Sequence, residues 1–231
     1  KFNAILLAAG LGTRLRPLTL KNPKCLMEIK KKPLLHIWLN KLHEIGIKDI
    51  LINTHYLPEQ VVSSVEKFKD YLNISLVYEK KLLGTAGTLI NNLNFCIDET
   101  ILIHADNVME ESLIGFCDAH KNRPKSCLMT MLTFETRHPK NCGIVEVNDN
   151  NVITQFYEKS VEDHGNLANA AIYLLSENFL ESLAQNHQDA YDFSNHIIPS
   201  YLSKVYTYKT KKNFTDIGNF KQYEEALKYN I

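Results

Sequence analysis

The chain has 231 residues, of which 45% are hydrophobic and 23% are charged, as is ordinary for a globular protein. Its 26 basic and 26 acidic residues give a formal net charge of zero, which excludes electrostatic capture of nucleic acid or of an acidic membrane surface as the main activity. The length suits one α/β domain, and we expect a single domain over residues 1–231.

Cysteine usage and hydropathy indicate a cytoplasmic protein with no membrane partner. The five cysteines are odd in number and form no Cys-x-x-Cys pair, so we expect reduced, mostly buried thiols. No apolar run is long enough to cross a bilayer, and the first twenty residues lack the layout of a secretion signal. The chain begins at Lys1 without an initiator methionine, which leaves open a trimmed chain or an additional N-terminal domain.

The first half of the chain alternates between strand and helix patterns. Residues 4–9 are almost uninterruptedly apolar and predict a buried strand. The predicted helices that follow are residues 33–45, residues 58–68 and a stretch from Thr85, and the predicted strands are 48–54, 74–78 and 100–105. This alternation predicts a doubly wound, mostly parallel sheet, in which ligands bind beyond the carboxyl ends of the strands.

The second half of the chain is richer in predicted strands. These strands are residues 127–134, 143–147, 152–157 and 168–175, with a turn at 148–151. Helical patterns follow at residues 178–184, 193–202 and 220–228, and the lysine run 30–32 is interpreted as a solvated turn. The expected fold is therefore α/β, with a smaller β-rich half.

A glycine-rich loop follows the first predicted strand directly. Gly10 and Gly12 allow the backbone to approach an anion closely, while Arg14, Arg16 and Lys24 supply positive charge. The loop therefore suits a polyphosphate.

Two common phosphate-binding motifs do not fit this loop. A dinucleotide fingerprint requires a third glycine where the sequence has Leu15, and Pro17 resists a helix at that point. A Walker motif requires Gly-Lys-Ser/Thr, which is absent. These mismatches disfavour a nicotinamide-dependent oxidoreductase.

Residues 8–19, followed by Pro23 and Lys24, resemble the signature of the sugar-phosphate nucleotidyltransferases. The resemblance implies a Rossmann-like, GT-A-like nucleotidyltransferase fold, in which the N-terminal half of the chain binds the nucleotide and the C-terminal half binds the sugar phosphate. It also implies that Arg14 stabilises a leaving pyrophosphate and that Lys24 offsets the charge of an incoming sugar phosphate. The residues that it assigns to the triphosphate are Leu7, Ala8, Ala9, Gly10, Gly12, Thr13 and Arg14.

A second motif, residues 83–88, places small residues at a helix entrance. In isolation it could be an ordinary loop into a helix, with Thr85 able to cap that helix and to donate a hydrogen bond. Its resemblance to the family's Leu-Gly-Thr-Ala-Gly segment, with Glu79 upstream, implies base and ribose recognition. The residues assigned to this role are Glu79, Gly84, Thr85 and Ala86.

Two aspartates are candidate magnesium ligands. Asp106 follows an apolar strand, where a carboxylate is costly unless a cation meets it; capping of the next turn is the alternative. The family resemblance implies that Asp106 and Asp216, the latter in an aromatic-x-Asp-Ile-Gly segment, hold Mg²⁺ together. His104 is interpreted as a packed histidine, and Ala105 replaces the family's usual glycine.

Three further residues are expected at the sugar phosphate. In the family, a Glu-Lys pair such as Glu158 and Lys159 binds the sugar hydroxyls and phosphate, although the pair could equally be a surface ion pair. Asn169 lies in a segment that resembles the family's Asn-x-Gly-x-Tyr, where Ala171 replaces the glycine.

The resemblance implies nucleoside monophosphate transfer from a nucleoside triphosphate to a sugar 1-phosphate, with Mg²⁺ as cofactor. GTP and a mannose-, heptose- or aminosugar-type phosphate are favoured, for polysaccharide biosynthesis. Thymidylyl or uridylyl transfer, and a catalytically silent sugar-nucleotide-binding regulatory subunit, remain alternatives. A homo-oligomer is also left open.

Overall fold

Thirteen strands and six α-helices make up the computed structural model, which describes residues 1–231. The strands are β1 (Phe2–Leu7), β2 (Glu28–Ile29), β3 (Lys32–Pro33), β4 (Asp49–Thr54), β5 (Asn73–Tyr78), β6 (Glu99–His104), β7 (Asn107–Met109), β8 (Met129–Glu135), β9 (Gly143–Val147), β10 (Ile153–Glu158), β11 (Leu167–Ser176), β12 (Val205–Lys209) and β13 (Phe214–Asp216). The helices are α1 (Leu34–Glu44), α2 (Pro58–Val65), α3 (Gly84–Asn91), α4 (Ile114–Lys121), α5 (Glu177–Asn186) and α6 (Phe220–Ala226).

The chain forms two compact units whose segments interleave along the sequence. The glycine-loop unit comprises residues 2–82, 103–113 and 212–231. The antiparallel unit comprises residue 1 and residues 83–102 and 114–211. The assignment of one ligand to each half of the sequence stays a prediction.

Parallel strands form the centre of the glycine-loop unit. Strand β4 pairs in parallel with both β1 and β5, with Leu7 opposite Asn53 and Thr54 opposite Tyr78. The predicted strand at 4–9 ends at Leu7, because the Ala8 N–H donates to the side chain of Asn53 rather than to a strand carbonyl. The alternation of strands and helices thus produces the predicted parallel sheet.

The glycine-loop unit has its own core beside the loop. Its members are apolar residues drawn from all three of its chain segments: Leu15, Met27, Ile29, Leu34, Ile37, Val108, Ile217, Ala226 and Tyr229. Trp38 on α1 is fully buried and donates from Nε1 to the Asn107 carbonyl at 2.8 Å. This bond ties α1 to β7, directly after Asp106.

The antiparallel unit contains a mixed set of strands around β11. Strands β8 and β9 pair with β11 in antiparallel fashion, β10 pairs with β9, and β12 pairs in parallel with β8. The register of β11 against β8 shifts between Asn169 and Tyr173, where Ala171 has a φ of 52°. The β-rich character predicted for the second half is confirmed.

Several elements differ from the sequence prediction. The segment predicted as a helix at 193–202 is instead a π-helical turn (Phe193–Ile197) followed by a 3₁₀ turn (Ile198–Tyr201), since Pro199 cannot donate to an α-helical ladder. The prediction also missed α4, which carries Gly115 in its first turn, and the short strands β12 and β13.

All five cysteines are free thiols, as the sequence predicts. Burial raises the pKa of Cys25 to about 12. None of the helices combines the length and the apolar character that a membrane crossing would demand.

Candidate active site

Asp106 and Asp216 are brought together by a two-stranded ladder inside the glycine-loop unit. Strands β7 and β13 are antiparallel, and Asp216 pairs with Asn107, the residue that follows Asp106. The Ile217 N–H also donates to the Asp106 carbonyl at 3.1 Å. Two carboxylates that lie 110 positions apart in the sequence therefore meet at one point.

Lys24 lies between the two carboxylates. It opens the 3₁₀ turn Lys24–Leu26 directly after Pro23, and its side chain is only 10% exposed. Its ammonium group forms an ion pair with Asp106 and lies 3.7 Å from Asp216 Oδ1. Asp216 Oδ1 is itself buried and has no hydrogen-bond partner. The three side chains form a partly buried cluster of two negative charges and one positive charge.

The pKa values of the two carboxyl groups shift in opposite directions. Burial acts to raise the pKa of Asp106, but the Lys24 charge and then the His104 charge oppose it, and the net pKa is below the ordinary value. Burial and the Asp106 charge raise the pKa of Asp216 to about 6. For Lys24, burial lowers the pKa, but the two aspartates together raise it further, so the lysine stays charged. Lys24 thus offsets one of the two carboxylates when both are ionised, and the Arg14 charge also acts to lower the pKa of Asp216.

The glycine loop adjoins this cluster. Gly12 has a φ of 62°, and a Cβ at this position would lie 2.9 Å from Thr19 Cγ2 and 3.2 Å from Lys24 Cβ. Thr19 also donates from its hydroxyl to the Gly12 carbonyl at 2.7 Å, a positioning contact that the sequence analysis missed. Gly12 is thus required both by its backbone conformation and by the close approach of its neighbours.

Arg14 lies on the same side as Asp216. A Cβ built on Gly218 would lie 3.2 Å from Asp216 Oδ2 and 3.4 Å from Arg14 Nη2, so both groups flank this glycine. The Arg14 side chain is exposed and available to a ligand. The four predicted catalytic residues Arg14, Lys24, Asp106 and Asp216 therefore share one cluster.

Asn53 links the glycine loop to Glu79. Its side-chain oxygen accepts from the Ala8 N–H at 2.7 Å, and its amide donates to Glu79 Oε1 at 2.9 Å. Glu79 is only 4% exposed, and its main-chain carbonyl bonds to His55 Nδ1 at 2.7 Å. The sequence analysis missed Asn53, although an amide at the end of an otherwise apolar strand was a usable signal.

The Gly84–Ala86 turn belongs to the antiparallel unit. Gly84 has a φ of 77°, and a Cβ there would lie 2.2 Å from the Tyr191 carbonyl oxygen. The helix α3 is preceded by Leu83 and has no side-chain cap, so the predicted capping role of Thr85 is wrong. The Thr85 hydroxyl instead accepts from the Phe193 N–H at 2.8 Å, which fixes the segment after α5 against this turn.

The three predicted sugar-phosphate residues also lie in the antiparallel unit. Glu158 ends β10 opposite Gly143, where a Cβ would come within 2.6 Å of Glu158 Oε2. Gly143, which the sequence analysis did not single out, thus leaves room for this carboxylate. Burial raises the pKa of Glu158, against the effect of Lys159, whose ammonium lies 3.4 Å away. Asn169 lies at the bulge in β11.

No group of three or more histidine, cysteine, aspartate or glutamate side chains forms a metal site in the structure. Asp106 and Asp216 are nevertheless suitable Mg²⁺ ligands, since Mg²⁺ is commonly bound by one or two carboxylates together with substrate phosphates. The buried, unbonded Oδ1 of Asp216 is an oxygen that such an ion could satisfy.

A glycine loop and two carboxylates at strand ends, on an α/β scaffold, are typical of a class of nucleotide-binding enzymes. A comparison with family models shows which family of that class this chain belongs to. The model of the Nucleotidyl transferase family matches residues 3–230, so the chain belongs to that family. The resemblance found in the sequence is confirmed.

Individual relatives carry more specific names. A mannose-1-phosphate guanyltransferase of Yarrowia lipolytica is 32% identical over 183 residues, which cover 77% of this chain and 50% of that protein. One of Candida albicans is 28% identical over 227 residues, covering 95% of this chain and 62% of that protein. The chain thus spans about half to three fifths of the length of these relatives.

Solved structures share the fold. A Bacillus anthracis protein assigned as a glucose-1-phosphate thymidylyltransferase, in complex with a sucrose, superposes with a TM-score of 0.89 at 21% identity and covers 100% of this chain and 97% of its own. HddC from Yersinia pseudotuberculosis, complexed with GMP-PN, superposes with a TM-score of 0.79 at 23% identity, with 98% of both chains covered. The predicted α/β fold is confirmed.

The close contact at Gly84 generates a first prediction. Gly84→Ala places a methyl group against the Tyr191 carbonyl and adds strain at a positive φ. Gly165→Ala is the matched control, because Gly165 has a φ of 86° with nothing within 4 Å of the added methyl. We expect the control to lower the free energy of unfolding by about 1 kcal/mol and Gly84→Ala to cost about 1–3 kcal/mol more, measured by urea denaturation. Equal losses would contradict the contact.

The raised pKa of Asp216 generates a second prediction, for the protein in EDTA. Because the pKa rises from 3.8 to about 6 on folding, the folded protein holds a proton that the unfolded chain releases between these pH values. The stability of the parent relative to Asp216→Asn should therefore fall as the pH rises from 4 through 6. Urea denaturation at several pH values measures this difference, and a constant or rising difference would disprove the assignment.

Proposed function

We propose that this chain transfers a nucleoside monophosphate from a nucleoside triphosphate to a sugar 1-phosphate and releases pyrophosphate. The observation that carries the proposal is the cluster of Arg14, Lys24, Asp106 and Asp216 beside the glycine loop. In this reaction a phosphate oxygen of the sugar attacks the α-phosphorus, and the bond between the α-phosphorus and the bridging oxygen breaks. The sugar phosphate is already a nucleophile at neutral pH, so no covalent intermediate is required.

Catalysis of this kind depends on holding two anions in line and on neutralising the charge that develops. The backbone of Gly10 and Gly12 would hold the triphosphate, and Arg14 would stabilise the leaving pyrophosphate. Lys24 is already charged and fixed between the aspartates, so it would offset the charge of the incoming sugar phosphate without reorganising. Of the residues in the antiparallel unit, Glu158, Lys159 and Asn169 would bind the sugar phosphate.

Asp106 and Asp216 would hold Mg²⁺. When bound, the ion would neutralise charge on the α-phosphate and orient it. The buried Oδ1 of Asp216 has no hydrogen-bond partner, and an oxygen of this kind supports a cation at this point.

GTP is the triphosphate that Glu79 favours. An ionised carboxylate such as that of the buried Glu79 only accepts hydrogen bonds, and guanine presents adjacent N–H donors at N1 and N2 on its pairing edge. Uracil and thymine present one N–H between two carbonyl oxygens, which a carboxylate would repel. The names of the Yarrowia and Candida relatives agree with guanylyl transfer, and we propose a mannose-type 1-phosphate as the second substrate.

The product would be an activated sugar of the kind used in polysaccharide biosynthesis. Both proposed substrates are charged metabolites of the cytoplasm, and we place the reaction there. Thymidylyl or uridylyl transfer is the second candidate, favoured by the fold shared with the Bacillus anthracis protein.

Pyrophosphate release from a panel of nucleoside triphosphates and sugar 1-phosphates tests the proposal. We expect turnover with GTP and Mg²⁺, and a loss of about 10²-fold or more in kcat for Lys24→Ala and for Asp216→Asn, the size typical of a lost charge-stabilising group. Lys48→Ala is the control: Lys48 is exposed and precedes β4, at the opposite end of that strand from Asn53.

Each outcome has a separate meaning. Turnover with dTTP or UTP but not with GTP would show that the enzyme uses thymine or uracil as the base and not guanine. Activity of the Lys24 and Asp216 variants within a few-fold of the parent would refute their roles. Binding of a sugar nucleotide with no turnover of any pair would favour the silent regulatory subunit.

A further inference from the structure

The segment 190–194, called here the strap, lies on the Gly84–Ala86 turn. The Ala86 N–H donates to the Tyr191 carbonyl at 3.0 Å, and the Phe193 N–H donates to the Thr85 hydroxyl at 2.8 Å. These bonds run in opposite directions and fix the strap against the turn at two points. The missing side chain of Gly84 allows the Tyr191 carbonyl to approach.

The strap also contacts the side chain that holds Asn169. Phe193 is 1% exposed, and its ring centroid lies 4.5 Å from that of the fully buried Tyr173. The Tyr173 hydroxyl accepts from Asn169 Nδ2 at 2.7 Å, while Asn169 Oδ1 accepts from the Ala171 N–H at 2.9 Å. Asn169 keeps one amide proton and one lone pair for a ligand.

Hydrogen bonds between the strap and the two residues that follow it keep the strap from moving independently. The N–H groups of Tyr191 and Asp192 both point at His196 Nδ1, at 3.1 and 3.3 Å. The Asp192 carboxylate accepts from the Asn195 N–H at 2.8 Å. A displacement at Thr85 would therefore be passed to Phe193, and from its ring to Tyr173.

We propose that Thr85, Phe193 and Tyr173 are positioning residues that couple the nucleotide turn to the sugar-binding Asn169. This inference rests on the proposed function, which assigns the turn to the nucleotide and Asn169 to the sugar. Thr85 then acts through the strap: its hydroxyl accepts from Phe193, and that bond sets where Tyr173 holds Asn169. Phe193 lies in none of the motifs that carry the family resemblance, whereas Tyr173 is the tyrosine of the Asn-x-Gly-x-Tyr segment.

The test is a substitution in the nucleotide turn that is read out on the sugar substrate. Thr85→Val keeps the shape of the side chain but leaves the Phe193 N–H without its acceptor. We expect the KM for the sugar 1-phosphate, measured at saturating nucleoside triphosphate, to rise about three- to tenfold, as for one lost hydrogen bond. The value of kcat should change less, and Thr85→Ser should restore the KM.

The control is Thr207→Val, which removes a hydroxyl that donates to the Asn151 carbonyl at 2.9 Å in the same unit, away from the strap. It should leave the KM for the sugar phosphate unchanged. An unchanged KM in Thr85→Val, whatever happens to the KM for the triphosphate, would overturn the coupling. If Thr85→Val does not fold, Phe193→Leu supplies the second test, because it keeps the N–H bond to Thr85 but loses the ring contact with Tyr173. A raised KM for the sugar 1-phosphate then supports the coupling, and an unchanged one refutes it.

Failure of the proposed function is recognised separately. In that case the parent protein itself turns over no pair of triphosphate and sugar phosphate. The coupling is refuted when the parent is active and Thr85→Val leaves the KM for the sugar 1-phosphate unchanged.

Discussion

The site depends on the repulsion between Asp106 and Asp216 and on the buried Lys24 ammonium group that lies between them. The backbone ladder of β7 and β13 forces the two carboxylates together, and Lys24 offsets one charge of the two. Burial and the Asp106 charge raise the pKa of Asp216, whereas the Lys24 charge holds the pKa of Asp106 below its ordinary value against the effect of burial. Our proposal is that a divalent cation and a substrate phosphate occupy this site together.

The surrounding structure holds this unfavourable arrangement in place. Trp38 anchors the start of β7 through the Asn107 carbonyl, and the core that contains Val108 and Ile217 packs the residues next to both aspartates. The contact between Gly12 and Thr19 holds the glycine loop in place, and Lys24 and Arg14 lie next to this loop. Hydrophobic burial next to each charged residue thus offsets the electrostatic cost of the cluster.

Much of the fold could be predicted because hydrophobic period and turn residues are local signals. The apolar runs of β1 and β4 and the stripe of α1 each follow from a few neighbouring residues. The strand β13 could not be predicted in this way, since its three residues acquire a strand conformation only by pairing with β7. The segment after residue 193 looked helical by its apolar spacing, but Pro199 and the contacts of the strap gave it another form.

The candidate site likewise contains residues that the sequence predicts and residues that it does not. Arg14, Lys24, Asp106 and Asp216 were found through motif chemistry, and the structure brings them together. Residues that act through others were missed, because a hydrogen bond such as that from Asn53 to Glu79 or from Phe193 to Thr85 joins positions with no shared local pattern. Thr85 is an example: the sequence indicates a residue that can form a hydrogen bond, but its partner Phe193 lies 108 residues further along the chain.

The central claim is that both aspartates bind one ion together with a triphosphate. The most direct measurement is a crystal structure of the chain with a non-hydrolysable GTP analogue and Mn²⁺, in which anomalous scattering locates the metal. The account predicts a single Mn²⁺ ligated by the carboxylates of Asp106 and Asp216 and by a phosphate oxygen of the analogue. A metal ion ligated by neither aspartate, or a triphosphate bound away from the glycine loop, would contradict it.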